Sequence, residues 1–277
     1  MMNWKIFNVS IPVKDLEKSK IFYNDLLGNN TVDTEFYKNF FSDDNEDLFL
    51  GSNGFGVRLF KPKHDLELND NIQSRRSYVS IIINDFESVL KKLQQSNFRF
   101  IYKKINSFET VILQEPSLNM MQFIKSNEVL DKYSNYFFEN SNFYIHHMNL
   151  ESLDVRESVH FISDLIGLKE GNWVAPNDKG DFSIDKKELS LFPISNDNKG
   201  LHFIKPDEGF AFRNNFIHNP SIGGHPAFTV KNINLIKEKL DNLNILYSDA
   251  NVYAMPGFHQ IYLYDANANT LEINQEV

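Results

Sequence analysis

The chain contains no cysteine. That absence removes disulfides, thiolate metal sites and cysteine nucleophiles together, so a reducing, cytoplasmic setting is expected and any metal must be held by nitrogen and oxygen. Positive charge is in deficit, with 28 Lys and Arg against 37 Asp and Glu, a formal net charge of −9 and a pI near 5.4. This balance argues against nucleic acid or a polybasic membrane patch as a partner. No apolar run approaches bilayer-spanning length, and the opening MMNWKIFNVSIPV lacks the basic start and apolar stretch of a signal peptide. A small neutral or metal-chelating molecule is the partner such a surface suits. What the chain does have is 277 residues, 42% of them hydrophobic, enough for two modest domains or one large one.

It also has internal repetition. NVSIPVKD (8–15), YVSIIIND (78–85), HMNLESLD (147–154) and HPAFTVKN (225–232) align as short alternating strands. Each ends in a residue able to cap a helix: Asp15, Asp85, Asp154 and Asn232. Helix-periodic apolar residues follow each time, for example Phe86, Val89, Leu90 and Leu93. Gly28 and Gly167 fall 13 residues after Asp15 and Asp154, where a left-handed helix terminus favours glycine. The rest of each unit carries β-rich runs, among them GVRLFKP (56–62), TVILQEP (110–116), GLHFIKP (200–206) and HQIYLYD (259–265). Each unit therefore reads as β-α-β-β-β. The expected class is α+β: four βαβββ modules paired into two open-barrel domains, 1–126 and 142–277, joined by a linker over 127–141.

The first strands have two phases. Val9, Ile11, Val13; Val79, Ile81, Ile83; Met148, Leu150; and Pro226, Phe228, Val230 should face helices, while the more polar opposite phase should face a cavity. Strict alternation then turns His147 to the cavity, equivalent to His225, and leaves His146 to pack or cap near the helix layer. Asp265 precedes Glu272 by seven residues, as Glu115 precedes Gln122, so Glu272 and Gln122 are equivalents. The second half thus offers His147, His225 and Glu272 where the first offers Asn8, Tyr78 and Gln122. Two imidazoles and a carboxylate suit a divalent first-row metal with open positions, Fe(II) above all, with Mn, Zn, Ni or Co as alternatives.

With these residues in place, the chain resembles the vicinal oxygen chelate superfamily of glyoxalases, antibiotic-resistance proteins and extradiol dioxygenases. FNVSIPVKDLEKSKIFYNDLLG (7–28) resembles a first module and YLYDANANTLEI (262–273) a last one. The greatest likeness is to four-module extradiol dioxygenases, which keep metal only in the second pair. The resemblance implies that His147, His225 and Glu272 are metal ligands. It further implies that Tyr262, ten residues before Glu272, and His202 are catalytic, although His202 also admits a packing or fourth-ligand role. Two features depart from the pattern. Tyr253 stands where a second-sphere histidine is expected, and DANAN replaces the usual DPDGN.

The expected activity is a metal-dependent, extradiol-type oxidation of a small vicinal diol or catechol, with dioxygen as co-substrate. His202 would move a substrate proton and Tyr262 would donate a hydrogen bond. A glyoxalase-type isomerase or lyase and a non-enzymatic binding protein are the alternatives. His218 and Asn219 read as a surface loop, His64, His160 and His259 have no evident partner, and Arg75–Arg76 reads as a solvated turn. Such modules pair within a chain or between chains, so a monomer and a homo-oligomer are both compatible.

Overall fold

The computed structural model describes residues 2–28, 34–41, 47–52, 55–62, 74, 76–134, 142–174 and 185–277; His64 and Arg75 lie outside them. Two open seven-stranded sheets make up the molecule, an α+β fold. The first has the order β2 (Leu48–Ser52), β3 (Phe55–Phe60), β1 (Trp4–Pro12), β4 (Tyr78–Ile83), β7 (Met120–Lys125), β6 (Phe108–Gln114), β5 (Phe100–Ile105), and the second β12 (Tyr247–Val252), β13 (Phe258–Tyr264), β14 (Thr270–Glu276), β11 (His225–Val230), β8 (Phe143–Glu151), β10 (Gly200–Ile204), β9 (Leu189–Pro193). In each, the two module-opening strands lie side by side and antiparallel at the centre. These are β1 (Trp4–Pro12) with β4 (Tyr78–Ile83), and β8 (Phe143–Glu151) with β11 (His225–Val230). Each pairs on its other side with the last strand of its own module, in parallel. For β8 and β11 these are β10 (Gly200–Ile204) and β14 (Thr270–Glu276). The second and fourth modules show the full β-α-β-β-β order, whereas in the first and third two strands follow the helix among the described residues.

Local chemistry explains the helices that separate the strands. Asp15, Asp154 and Asn232 accept hydrogen bonds from first-turn amides at 3.0–3.3 Å, as their sequence positions predict. Asp85 differs: its side chain makes no capping bond, and its backbone carbonyl alone starts the helix Phe86–Gln95. Gly28 and Gly167 both close their helices at φ 89°, a conformation with little penalty only for glycine. The expected linker holds a short helix, Glu128–Ser134, and residues 135–141 lie outside the described ones. Among the described residues no helix is long and apolar enough to cross a membrane.

The phase reading of the strands holds on the helix side. Val9, Ile11, Val13, Val79, Ile81, Ile83, Met148, Leu150, Phe228 and Val230 all join one buried apolar cluster that spans both halves. The opposite face differs between halves. In the first it is filled by rings: Phe7 packs on Phe40 at 4.9 Å, Tyr37 on Phe49 at 4.6 Å and Phe40 on Phe108 at 4.7 Å. Gln122 Nε2 donates to the Phe40 carbonyl beneath them, so aromatic packing occupies the face that the second half leaves to polar groups.

One expectation about the strands is overturned. His146 does not lie in the helix layer. β8 and β11 pair Ala227 with His147 and Phe228 with Ile145, so His146 is the extra residue of a β-bulge. A bulge suspends alternation and re-aims a side chain. The ring of His146 accordingly lies beside that of His147, with Nδ1 to Nδ1 at 2.9 Å. β1 has the same irregularity between Ile6 and Asn8, which makes Phe7 the counterpart of His146.

Candidate metal centre

Three neighbouring strands converge on one point. Register sets His147 of β8 opposite Ala227 of β11 and Ala227 beside Glu272 of β14; His225 lies two residues earlier on β11. Strand periodicity therefore turns His225, Ala227, His147 and Glu272 to the same face. Ala227, small and between them, leaves room. His147 Nε2 lies 3.4 Å and His225 Nε2 3.5 Å from Glu272 Oε2, and one ligand atom from each residue falls within a 4.8 Å set. Donors sharing one cation at about 2.1 Å stand about 3.0–3.4 Å apart, so the group fits a divalent ion with minor adjustment. The donor set, two nitrogens and a carboxylate oxygen, is one such ions accept.

The surroundings prepare the donors. Burial alone would raise the Glu272 carboxyl, yet His147 and His225 beside it hold it well below the usual carboxylate range. Gln260 Nε2 and Asn274 Nδ2 donate to Glu272 Oε1 at 3.1 and 2.9 Å, which leaves Oε2 to the imidazoles. Thr229 Oγ1 in turn donates to Asn274 Oδ1 at 2.6 Å. Burial, with smaller opposing pulls from Glu272, lowers the His225 imidazole, which favours the neutral form a ligand needs.

His202 and Tyr262 stand beside the cluster. The His202 ring stacks on His147, centroids 4.0 Å apart. Its Nε2 bonds the Asn198 carbonyl at 2.6 Å; only a protonated nitrogen can do so, hence Nδ1 carries the free lone pair. Burial first and the neighbouring His147 second push the His202 imidazole well below its ordinary value. Tyr262 pairs with Glu272 across β13 (Phe258–Tyr264) and β14. Burial and the Glu272 charge raise its phenol well above 10, so it keeps its proton. Its oxygen receives Gln260 Nε2 at 3.1 Å. None of His147, His202, His225, Tyr262 and Glu272 is more than 4% exposed.

Other expected positions serve elsewhere. Tyr253 donates to Asn214 Oδ1 at 2.6 Å and packs on Phe210 and Phe216, part of the long segment between His202 and His225. That segment carries the one-turn helix Phe210–Arg213, and its Phe216 reaches Tyr262 at 5.9 Å between centroids. His218 is buried rather than on a surface loop, bonded to Ser248 Oγ at 2.9 Å and set against Tyr264. Asn219 Nδ2 donates to the Asp207 carbonyl at 2.9 Å, a loop-holding role. His259 does have a partner, Asp249 Oδ1 at 2.7 Å.

Sequence reading missed Gln260, Asn274 and Trp173, and placed Asn149 on the cavity-facing phase without giving it a role. Gln260 and Asn274 sit two residues from Tyr262 and Glu272 on their strands, so period-2 alternation already turned them to the site. Trp173, edge-on to His202 at 4.9 Å and bonded to the Ala254 carbonyl, comes from a stretch with no strand or helix signal. Asn149 pairs with both His225 and His202 in register, and its Oδ1 is buried with no hydrogen-bond partner among the described residues. A native interior seldom leaves such an oxygen unmatched unless something else binds there.

No family profile matches the chain, and no curated protein matches it in sequence. Solved structures do match in shape. A homoprotocatechuate 2,3-dioxygenase from B. fuscum aligns over 98% of this chain and 70% of its own at 15% identity, TM-score 0.60. The chain shares the fold of that dioxygenase. The homoprotocatechuate 2,3-dioxygenase of Arthrobacter globiformis aligns over 97% and 78% at 14% identity, TM-score 0.61. A Mn(II)-bound glyoxalase from Novosphingobium aromaticivorans aligns over 100% and 83% at 13% identity, with the same score. These likenesses are of fold alone.

Proposed function

We propose that this protein is a metal-dependent vicinal oxygen chelate enzyme, a dioxygenase of the extradiol type that takes Fe(II) and opens a small catechol-like vicinal diol. One observation carries the reading: His147, His225 and Glu272 from three strands share a single point of approach. His147, His225 and Glu272 would hold Fe(II), which would supply a Lewis-acidic, redox-active centre for a diol and dioxygen. Two neutral imidazoles and one carboxylate leave a net positive centre, which favours a substrate that has lost a proton.

The chain's own residues supply the rest. His202 offers Nδ1 as the acceptor for a substrate hydroxyl proton, because Nε2 is committed to the Asn198 carbonyl. Tyr262, protonated and against Glu272, donates to a substrate oxygen on the opposite side. Trp173 and Phe216 supply apolar edges next to His202 and Tyr262 and keep water out.

An isomerase or lyase of glyoxalase type is the second reading, favoured by the equal fold likeness to a Mn(II)-bound glyoxalase. Such chemistry is served by a second carboxylate near the metal, and His202 stands there instead. The two readings part in one experiment. Protein purified without oxygen is assayed for metal, loaded with Fe(II), and given a panel of catechols in an oxygen electrode. Oxygen uptake with a yellow ring-fission product supports the dioxygenase. Turnover that ignores oxygen and persists with a redox-inert metal supports the isomerase, and none with any diol rejects the first reading.

A further inference from the structure

We infer that His146 is a positioning residue for the metal centre: its Nδ1 accepts a hydrogen bond from Nδ1–H of His147 and so holds His147 in the tautomer that presents Nε2. The inference rests on the metal reading above and concerns how the chain prepares one ligand.

The geometry leaves one arrangement. His147 Nε2 is the nitrogen that faces Glu272 at 3.4 Å. A ligating nitrogen must be unprotonated, so the ring proton of His147 sits on Nδ1. Nδ1 of His147 lies 2.9 Å from Nδ1 of His146, which makes His146 the acceptor. A neutral imidazole that accepts at one nitrogen carries its proton on the other. That other nitrogen, Nε2 of His146, has no hydrogen-bond partner among the described residues and lies 3.8 Å from Asp197 Oδ2. The chain of contacts therefore runs from the Asp197 carboxylate, 38% exposed, through the fully buried His146 ring to His147. Ligating histidines in proteins almost always donate their second N–H to an oxygen that fixes the ring. Here a second imidazole takes that place, and a carboxylate stands behind it.

Packing alone does not call for an imidazole here. Phe7 occupies the equivalent bulge in the first sheet and is buried among rings. His146 likewise meets Phe258 edge-on at 4.7 Å, a contact a phenyl ring would make as well. The difference between the two bulges is the nitrogen, and only the half with a candidate metal centre has one.

The test uses the full chain stripped of metal and titrated with Zn(II) against a chromophoric chelator. His146→Phe, which copies the Phe7 bulge, is expected to weaken Zn(II) binding about 10–100-fold. His146→Asn, whose Oδ1 can stand near Nδ1 and accept the same bond, is expected to restore most of that loss. Imidazole 15N spectra of the Zn(II)-loaded protein should show His147 protonated at Nδ1, with the signal changed in His146→Phe. Unaltered affinity in His146→Phe overturns the inference. So does a wild-type His147 protonated at Nε2, a result that decides the matter even if His146→Phe fails to fold. Wild-type protein that takes up no Zn(II) overturns the metal reading and the inference together. Protein that binds Zn(II) as described, yet cleaves no diol with Fe(II), overturns the dioxygenase reading alone.

Discussion

Arg58 and His202 hold equivalent places in the two sheets. Arg58 lies on the strand Phe55–Phe60 beside Ser10, two residues after Gly56 pairs with Asn8; His202 lies beside Asn149, two residues after Gly200 pairs with His147. Where the second half puts a ring over the candidate metal ligands, the first buries a charge. The Arg58 guanidinium pairs with Asp47 at 2.5 Å, donates to Tyr78, the counterpart of His225, and lies over the rings of Phe41 and Phe60. Both members of the pair are about 95% buried, at 5% and 4% exposed. Removing one partner of such a pair leaves the other charged and unsolvated, which costs about 3–5 kcal/mol. Arg58→Met is therefore expected to lower unfolding free energy by about that amount in urea titrations, with the Zn(II) affinity of the native protein unchanged.

A second internal symmetry joins the halves. Asn119 Nδ2 donates to the Glu151 carbonyl at 2.8 Å, and its counterpart Asn269 Nδ2 donates to the Pro12 carbonyl at 2.9 Å. Each asparagine sits four residues after an acid that reaches across. Glu115 accepts from Ser158 at 2.6 Å, and Asp265 from Tyr23 at 2.9 Å. Burial and then the Asp265 charge raise the Tyr23 phenol well above 10, so it remains a donor. Asp265→Ala leaves that buried hydroxyl without its partner, a loss of about 1–3 kcal/mol. The expected result is a lowered urea midpoint, partly relieved when Tyr23→Phe is added; full additivity of the two changes would refute the coupling.

The candidate metal triad was legible in the sequence, whereas of the clasps only the spacing of Glu115 and Asp265 was. The helix-facing phase of the four central strands follows from alternation, which holds wherever a strand is regular. Repeat equivalence placed Glu272 opposite Gln122, and the seven-residue spacing from Asp265 and Glu115 survives as the turn both acids occupy. His146 escaped because a bulge breaks period 2 without any mark in the residues themselves. Phe7, an apolar residue at the same offset, gave no warning. Asp85 has a cap's identity without a cap's geometry, at ψ 45° where its three counterparts are near 100°. Trp173 and Phe216 reach the site from irregular segments, and irregular segments carry no periodicity from which a direction could be read.

Acid should destabilise the metal-free protein in a definite window. His202 titrates well below its ordinary value when folded and His146 falls to about 3, both chiefly through burial. Unfolded histidines titrate near 6.5, so above that pH neither state binds the proton and the contribution is complete. Below it the unfolded chain binds protons that the folded one refuses, and stability falls as pH falls, by up to about 1.4 kcal/mol per pH unit for each such ring. Glu272, held low in the folded state, contributes in full above about pH 4.5, where the unfolded carboxylate is ionised as well, and so adds no slope in this window. Urea titrations in chelator between pH 6.5 and 5 should show the slope, and His202→Gln should flatten it by about one ring's share; an unchanged slope would mean His202 is charged in the fold.

His202 also separates binding from chemistry. Its ring touches His147 by stacking and the backbone by one hydrogen bond, and no ring nitrogen of His202 belongs to the three-residue donor set. His202→Phe keeps a flat ring on that face and removes the Nδ1 lone pair, so metal should still be held. If the lone pair takes the diol proton, its loss lowers kcat by about 10²–10⁴-fold, the range for a positioned acid-base group. Metal content near that of the wild type together with such a loss is the expected result, with KM for the catechol little changed. Loss of metal on this substitution would instead make His202 a fourth ligand, and retained turnover would move the proton transfer to another group.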